Sequence, residues 1–165
     1  MRSDTAGVVV RTAQSSETGA LGALIADDLA GAPYADSARY FIRLAAHGRV
    51  DEARALVAER DGQIVGFVLL GAVAGAVGTG RLLLLGVRND ARRNGLGIEL
   101  CSAAALELEA QGARTIVVEM PEHASTSACR AVLERCGFSE AARVDDYYRD
   151  GVPLVVLQRI KPLAT

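Results

Sequence analysis

The 165-residue sequence predicts an α/β (α+β) domain with a mixed, mostly antiparallel sheet of six to seven strands and about four helices. Three observations predict this class. Short apolar runs rich in β-branched residues alternate with longer segments whose apolar residues recur at helical spacing. The dipeptide Asp61-Gly62 separates two such runs and is typical of a β-hairpin turn. Further along, two apolar runs flank one long helical segment, which predicts a right-handed βαβ unit with parallel strands.

The first half of the chain predicts one strand, two helices and an antiparallel meander. Ser15-Ser16-Glu17 offers an N-cap, and Gly31-Ala32-Pro33 ends the first helix. The turns at Asp61-Gly62 and residues 75–80 make strands two, three and four antiparallel neighbours. The predicted elements are a strand over residues 7–12, a helix from residue 15 with Leu21, Leu24, Ile25 and Leu29 on one face, a helix over 36–47 with Tyr40, Phe41 and Leu44 on one face, and strands over 54–60, 63–74 and 82–87.

The second half predicts helices and strands in alternation. A long helix over 94–111 ends at Gly112, in a C-cap position, and a strand over 114–120 follows it. A helix over 125–136 precedes two strands, over 138–148 and 152–160. The element order is therefore β-α-α-β-β-β-α-β-α-β-β, and the length favours a single domain over residues 1–165.

The composition argues against several classes of partner. A net charge of −2 and the absence of Trp disfavour a nucleic-acid binder. The uncharged stretch 64–78 is shorter than the roughly 17–25 residues of a membrane span, so no membrane partner is expected. Cys101, Cys129 and Cys136 form no CxxC motif, and no metal site is expected. Because the odd number of cysteines argues against a disulfide framework, a reducing cytoplasm is the expected compartment, and residues 1–5 begin no secretory signal. A homodimer is left open.

The segment Arg92-Arg93-Asn94-Gly95-Leu96-Gly97 joins an apolar strand to the long helix. A helix start presents unpaired N–H groups and the positive end of a dipole, so a phosphate is the expected ligand of this turn. The segment is not a P-loop, and it lacks the first glycine of G-x-G-x-x-G. On these residues alone, a plain connector is the alternative.

Three segments together resemble the GNAT superfamily of acyl-CoA-dependent N-acetyltransferases. R-x-x-G-x-G over 92–97 resembles its pyrophosphate loop, and TSACRAVLERCGF over 126–138 resembles its second conserved block. Tyr147-Tyr148-Arg149-Asp150-Gly151 is similar to the YYxDG ending of the subgroup that contains bacterial ribosomal-protein N-terminal acetyltransferases. The element order also matches from about residue 7 to 160. The resemblance implies a GNAT fold, with a bulge in strand four and a splay between strands four and five.

The resemblance also implies that acetyl-CoA (CoA) lies in that splay. Its pantetheine arm would pair with backbone groups around strand four, and N–H groups of the loop would hold its pyrophosphate, with Arg92 or Arg93 adding charge. Cys129 would face the cofactor, where a buried small residue is favoured over an acyl-cysteine route. The implied cofactor-binding residues are Leu85, Gly86, Val87, Arg92, Arg93, Asn94, Gly95, Leu96, Gly97, Thr126 and Cys129.

The implied reaction is direct attack of an amine on the thioester, which requires a base and a proton donor. Glu119, at the end of strand five, is the implied base. Leu133 stands where many members carry an acidic Tyr, so Tyr147, Tyr148 or solvent would supply the proton. The acceptor would lie near Tyr34, Glu119 and Tyr147, and His123 is a minor candidate beside them.

Two functions stay open at this point. The first is an N-acetyltransferase that acts on a peptide or protein α-amine, or on a small-molecule amine. The second is a non-catalytic acyl-CoA-binding sensor or partner-binding module, which the replacement of the usual Tyr by Leu133 keeps in consideration.

Overall fold

The computed structural model describes residues 7–46 and 53–161 of the chain. The predicted helix end at His47 and the N-terminal residues 1–5 lie outside the described residues, and so does the side chain of Leu44. All elements named below belong to the described ranges.

Seven strands form one mixed sheet in the order β1-β2-β3-β4-β5-β7-β6. Only the β4–β5 pair is parallel, and the other five pairs are antiparallel. This confirms the predicted sheet, its meander and its βαβ unit. The strands are β1 (Val8–Thr12), β2 (Ala53–Arg60), β3 (Gln63–Ala72), β4 (Thr79–Val87), β5 (Thr115–Pro121), β6 (Ser139–Arg149) and β7 (Val152–Ile160).

Five α-helices, rather than about four, flank the sheet within the described residues. They are α1 (Thr18–Leu24), α2 (Ala26–Leu29), α3 (Ala35–Ala46), α4 (Leu96–Ala110) and α5 (Ser127–Arg135). The single first helix of the prediction is wrong, because the chain breaks at Ile25, whose φ is −118°. Two glycines within seven residues weaken α1. The predicted Ser15 cap is also wrong, since Gln14 and Glu17 form the capping box that precedes α1.

Three predicted boundaries shift for identifiable reasons. The helix α4 begins two residues later than predicted, because Arg93 and Gly95 adopt left-handed conformations with φ of 64° and 81°. The helix α5 begins at Ser127, because a 3₁₀ turn occupies Ala124–Thr126. The strand β4 begins at Thr79, three residues early, since Thr79 pairs with Thr115 of β5.

Two apolar clusters lie on the two faces of the sheet. One cluster contains Leu96, Leu100 and Leu108 of α4 together with Leu133 of α5. The other packs Leu21 and Ile25 of the first helices against Phe67 and other residues of the central strands. The first helices therefore cover β2 to β4 on their face.

We expect the substitution Gly86→Ala to destabilise the fold by about 1–3 kcal/mol, the usual cost of overpacking a core. A Cβ at Gly86 would lie 2.5 Å from Ile25 Cγ2 and 2.6 Å from Phe67 Cε1. Urea denaturation measures the loss. Gly19→Ala on α1 is the matched control, since its Cβ would meet nothing within 4 Å. Equal midpoints for Gly86→Ala and the wild type would contradict this packing.

Candidate active site

The strands β4 and β5 separate partway along their length. Their pairing runs from Thr79 with Thr115 to Leu82 with Val118 and stops there. At the same level β4 contains a bulge, because Leu69 of β3 pairs with Leu84 while Leu70 pairs with Leu82. Leu83 is therefore the extra residue. A bulge bends the strand that contains it, so the splay opens directly after Leu83, as the resemblance implies.

A cavity of about 260 Å³ occupies this splay. Its walls are mostly apolar, and α3, β4, β5, α5 and β6 all contribute to them. Of the predicted site residues, the structure brings these into the walls: Tyr34, Leu85, Glu119, Thr126, Cys129, Tyr147 and Tyr148. Gly86, Val87 and the loop 92–97 lie beyond the walls, at the carboxyl end of β4, and His123 is also outside them.

The loop between β4 and α4 presents a row of unpaired backbone donors. Within residues 7–46 and 53–161, the N–H groups of residues 93–97 have no hydrogen-bond partner. Arg93 and Gly95 both have positive φ, and α4 begins immediately afterwards. Such a run of N–H groups at a helix start attracts an anion. The exposed guanidinium of Arg93 adds positive charge at this position.

Arg92 differs from Arg93 because its side chain is already engaged. Its Nε donates to the carbonyl of Val87 at 2.8 Å, and its guanidinium forms an ion pair with Asp28 of α2. The carbonyl of Val87, an implied cofactor-binding residue, therefore accepts a hydrogen bond from Arg92. Through these two contacts Arg92 connects the loop to β4 and to α2.

Glu119 and the two tyrosines form the polar end of the cavity. Glu119 is exposed near the end of β5, opposite Val156 of β7. Tyr148 is half-buried, and its ring packs edge-on against that of Tyr147 with centroids 5.1 Å apart. Burial, with smaller contributions from Tyr147 and Glu119, raises the pKa of Tyr148 to about 12. The phenol of Tyr148 is therefore protonated near a carboxylate at neutral pH.

The residues on the α5 side of the cavity provide no reactive nucleophile and no proton donor that is free to act. Burial raises the pKa of the Cys129 thiol to about 11, which keeps it in the unreactive protonated form. The Thr126 hydroxyl is occupied within its own turn, where it lies 2.7 Å from the carbonyl of Pro121 and 2.9 Å from that of His123. Leu133 is buried and has no proton to donate. The Nδ1 atom of His123 accepts from the Ser125 N–H.

Tyr34 lies between the cavity and the Arg92–Asp28 ion pair beside the loop. Burial raises its pKa, and so does the proximity of Cys129 and Asp28, while Arg92 lowers it. Tyr34 therefore lies near both the cavity wall and the ion pair that holds the loop.

Sequence reasoning missed two charged residues here. Asp28, the partner of Arg92, lies in an amphipathic segment without a motif. Arg81 lines the cavity from β4. The prediction ends the preceding turn at residue 80 and starts this strand at residue 82, which leaves Arg81 outside both. Its position directly before the apolar run of this strand is the signal that could have found it.

Among the described residues, no group of three or more His, Cys, Asp or Glu could hold a metal ion. In the same ranges, no helix has both the length and the apolar character needed to cross a bilayer.

A splayed β4–β5 pair, a cavity in the splay and a donor-rich loop at the start of the following helix define a class of acyltransferase domain. The model of the acetyltransferase (GNAT) domain family matches residues 51–140. The chain belongs to this family, as the sequence resemblance indicates.

Curated relatives and solved structures that are similar to this chain are also acetyltransferases by name. The chain is 33% identical over 127 residues to mycothiol acetyltransferase from Streptomyces avermitilis, a match that covers 77% of this chain and 35% of that protein. The chain thus spans about a third of the length of the curated relatives it matches. A GNAT-family protein from Desulfovibrio desulfuricans superposes with a TM-score of 0.80 at 22% identity, over 93% of this chain and 98% of its own.

Two further structures have the same fold. The ribosomal-protein-S18-alanine N-acetyltransferase from Escherichia coli superposes with a TM-score of 0.72 at 19% identity, over 96% of each chain. A protein from Bacillus anthracis in complex with acetyl coenzyme A superposes with a TM-score of 0.61 at 18% identity, over 68% of this chain and 65% of its own. At these identities the likeness concerns the fold.

Proposed function

We propose that this protein transfers an acetyl group from acetyl-CoA to a primary amine. The observation that carries the proposal is the continuity of the site. The donor-rich loop at residues 93–97 lies at the carboxyl end of β4, and the splay beside β4 leads to Glu119 and Tyr148. Acetyl-CoA supplies an activated thioester, and the related structure that contains it supports its use here.

The loop would hold the pyrophosphate of the donor substrate. The N–H groups of residues 93–97 point to an anion site, and Arg93 would add charge from its exposed side chain. Arg92 would act indirectly, since its ion pair with Asp28 holds the loop in position. Leu85 would line the slot for the pantetheine arm, because β4 has no β5 partner beyond Leu82.

Glu119 and Tyr148 would carry the two proton transfers. Glu119 removes a proton from the ammonium form of the acceptor, directly or through water, and so produces the neutral nucleophile. The amine nitrogen then bonds to the acetyl carbon as the carbon–sulfur bond breaks, and the nitrogen releases its surplus proton to water, which leaves the neutral amide. Tyr148 donates its proton to the departing thiolate, the part that Leu133 cannot perform. Tyr147, which is more exposed, would contact the acceptor together with Tyr34.

The transfer is direct in this proposal and forms no acyl-enzyme. Cys129 is the thiol in the cavity wall, and burial raises its pKa. A thiol with a raised pKa is a poor nucleophile at neutral pH. Three cysteines are free in the structure, and we infer a reducing compartment such as the cytoplasm on that basis.

Thermal denaturation with acetyl-CoA, together with thiol release over a panel of amines, tests the proposal. We expect acetyl-CoA to raise the melting temperature and an amine to cause release of CoA, with the acetylated amine detected by mass spectrometry. The competing function, a sensor that lacks the usual acid, predicts stabilisation by acetyl-CoA without turnover of any amine. A protein that acetyl-CoA does not stabilise would contradict both functions.

We expect Tyr148→Phe to lower kcat about tenfold, at the low end of general acid catalysis, and to leave the KM for acetyl-CoA unchanged. A pKa near 12 keeps this phenol protonated throughout the assay range, so the wild-type rate should not fall between pH 7 and 10 through loss of this proton. Steady-state kinetics at several pH values measure both effects. Tyr147→Phe, at the more exposed ring, should cause a smaller loss. Equal rates for wild type and Tyr148→Phe would assign the proton transfer to solvent.

A further inference from the structure

Arg81 introduces a cationic side chain into the cavity wall without an anionic partner. It lies on β4, next to Val117 of β5, and it lines the cavity. Its Nε is buried and has no hydrogen-bond partner, and within the described residues its guanidinium forms no ion pair. Most other arginines that we describe are engaged, as Arg92 is with Asp28.

A buried guanidinium nitrogen without a partner is costly, because desolvation of a charged donor is not compensated. Buried charges in proteins are therefore normally paired or hydrogen-bonded to a ligand. The wall around Arg81 is largely apolar, with Leu82, Leu83 and Val117 beside it. An anion that enters the cavity would meet a planar guanidinium that has no protein partner within the described residues.

The position of Arg81 assigns that anion to the acceptor rather than to acetyl-CoA. Arg81 is six residues before Val87, which places it about 20 Å from the end of β4 that leads into the pyrophosphate loop, at the usual rise of a strand. Arg81 also lies on the N-terminal side of the bulge at Leu83, in the part of β4 that is still paired with β5. The loop and Arg81 are thus at opposite ends of the splay, and the donor enters from the loop end.

Arg81 and the implied base share one face of the sheet. Because Arg81 is aligned with Val117, and Glu119 is two residues further along β5, both side chains project from the same face. Their Cα atoms are roughly 8 Å apart by strand geometry. A carboxylate and an amine on one small skeleton can therefore contact the two residues simultaneously.

We propose that Arg81 binds a carboxylate of the acceptor, so that the substrate class is a primary amine that also carries a carboxylate. This inference rests on the proposed acetyl transfer and specifies its acceptor. The guanidinium forms a bidentate pair with the carboxylate, while Glu119 accepts the proton of the amine. The acceptor is thus held by its charge as well as by the apolar wall.

Matched acceptor pairs test the inference. Initial rates are measured with each amino acid that carries a primary α-amine and with its carboxamide, which retains the amine and removes the α-carboxylate charge. A second series uses dipeptide amides whose N-terminal residue is either aspartate or asparagine. These compounds have no α-carboxylate, so a preference for the aspartate form shows that a side-chain carboxylate is sufficient. We expect at least one carboxylate form to exceed its neutral partner about tenfold or more in kcat/KM, chiefly through KM.

Arg81→Met should abolish that preference, because methionine cannot pair with a carboxylate. Arg81→Lys keeps the positive charge but loses the bidentate geometry of the guanidinium, so this variant should retain part of the preference. Arg39→Met on α3 is the matched control, because it removes an exposed arginine whose partner is the exposed Asp36. The rise in melting temperature with acetyl-CoA shows that each variant is folded.

The outcomes separate this inference from the proposed function. Equal rates for the carboxylate and neutral amines in the wild type would overturn the role of Arg81 and leave acetyl transfer intact. A preference that survives in Arg81→Met would overturn it as well. Absence of turnover with every amine, despite binding of acetyl-CoA, would instead refute the proposed function and this inference with it.

Discussion

Glu119→Gln is expected to lower kcat for amine acetylation about 100-fold, within the usual range for loss of a general base. Glutamine has nearly the same shape but cannot accept the proton of an ammonium group. Glu119 lies at the polar end of the cavity, away from residues 93–97, so the affinity for acetyl-CoA should not change. Steady-state kinetics and a calorimetric titration with acetyl-CoA measure the two quantities separately.

A pH series distinguishes loss of a base from a disturbed site. A higher pH raises the fraction of neutral amine in solution, so the rate of Glu119→Gln should rise more steeply with pH than that of the wild type. Glu107→Gln is the matched control, since it makes the same change on α4, where Glu107 pairs with Arg54. It should retain wild-type kcat. A Glu119→Gln enzyme with wild-type kcat and the wild-type pH profile would remove Glu119 from the mechanism.

Gly95→Val is expected to abolish the rise in melting temperature that acetyl-CoA causes, with a Kd at least about tenfold higher. Gly95 has φ of 81° at the N-cap of α4, a conformation that β-branched residues avoid at a cost of about 1–3 kcal/mol. The loop would therefore leave its present conformation, and the unpaired N–H groups of 93–97 would no longer converge. A Cβ at this position would also obstruct close approach of a phosphate.

Gly112→Val isolates the effect on binding from the effect on stability. Gly112 follows the other end of α4 with φ of 97°, so the same substitution introduces a comparable backbone strain far from the loop. Both variants should melt below the wild type, but only Gly95→Val should lose its response to acetyl-CoA. Retention of that response in Gly95→Val would contradict the assignment of the anion site.

The predictable part of this fold is the part that local patterns determine. Asp61-Gly62 specifies a hairpin at its own position, and the apolar run before Arg92 specifies a strand whose helical crossover must be right-handed. The family resemblance added the splay, which the pairing between β4 and β5 confirms. The break at Ile25 could not be predicted in this way. It depends on how α1 and α2 each pack on the sheet, although their apolar spacing suits one continuous helix.

In the candidate site, too, the features that local sequence patterns determine could be predicted, and those that depend on contacts between distant residues could not. The left-handed conformation of Gly95 is foreseeable from a glycine before a helix, whereas that of Arg93 is not. The pairing of Arg92 with Asp28 joins residues 64 positions apart, and no local pattern encodes such a contact. Arg81 is similar, because its importance arises from what surrounds it in three dimensions. A charged residue becomes a candidate ligand only when the fold shows that it lacks a partner.

Initial-rate kinetics with both substrates varied distinguish direct transfer of the acetyl group from transfer through an acyl-enzyme. Direct attack of the amine within a ternary complex predicts double-reciprocal lines that intersect, because both substrates must be bound before any product leaves. Parallel lines would indicate a ping-pong mechanism through an acyl-enzyme, which would return Cys129 to the chemistry. A protein that binds acetyl-CoA and releases no CoA with any amine would contradict the account itself.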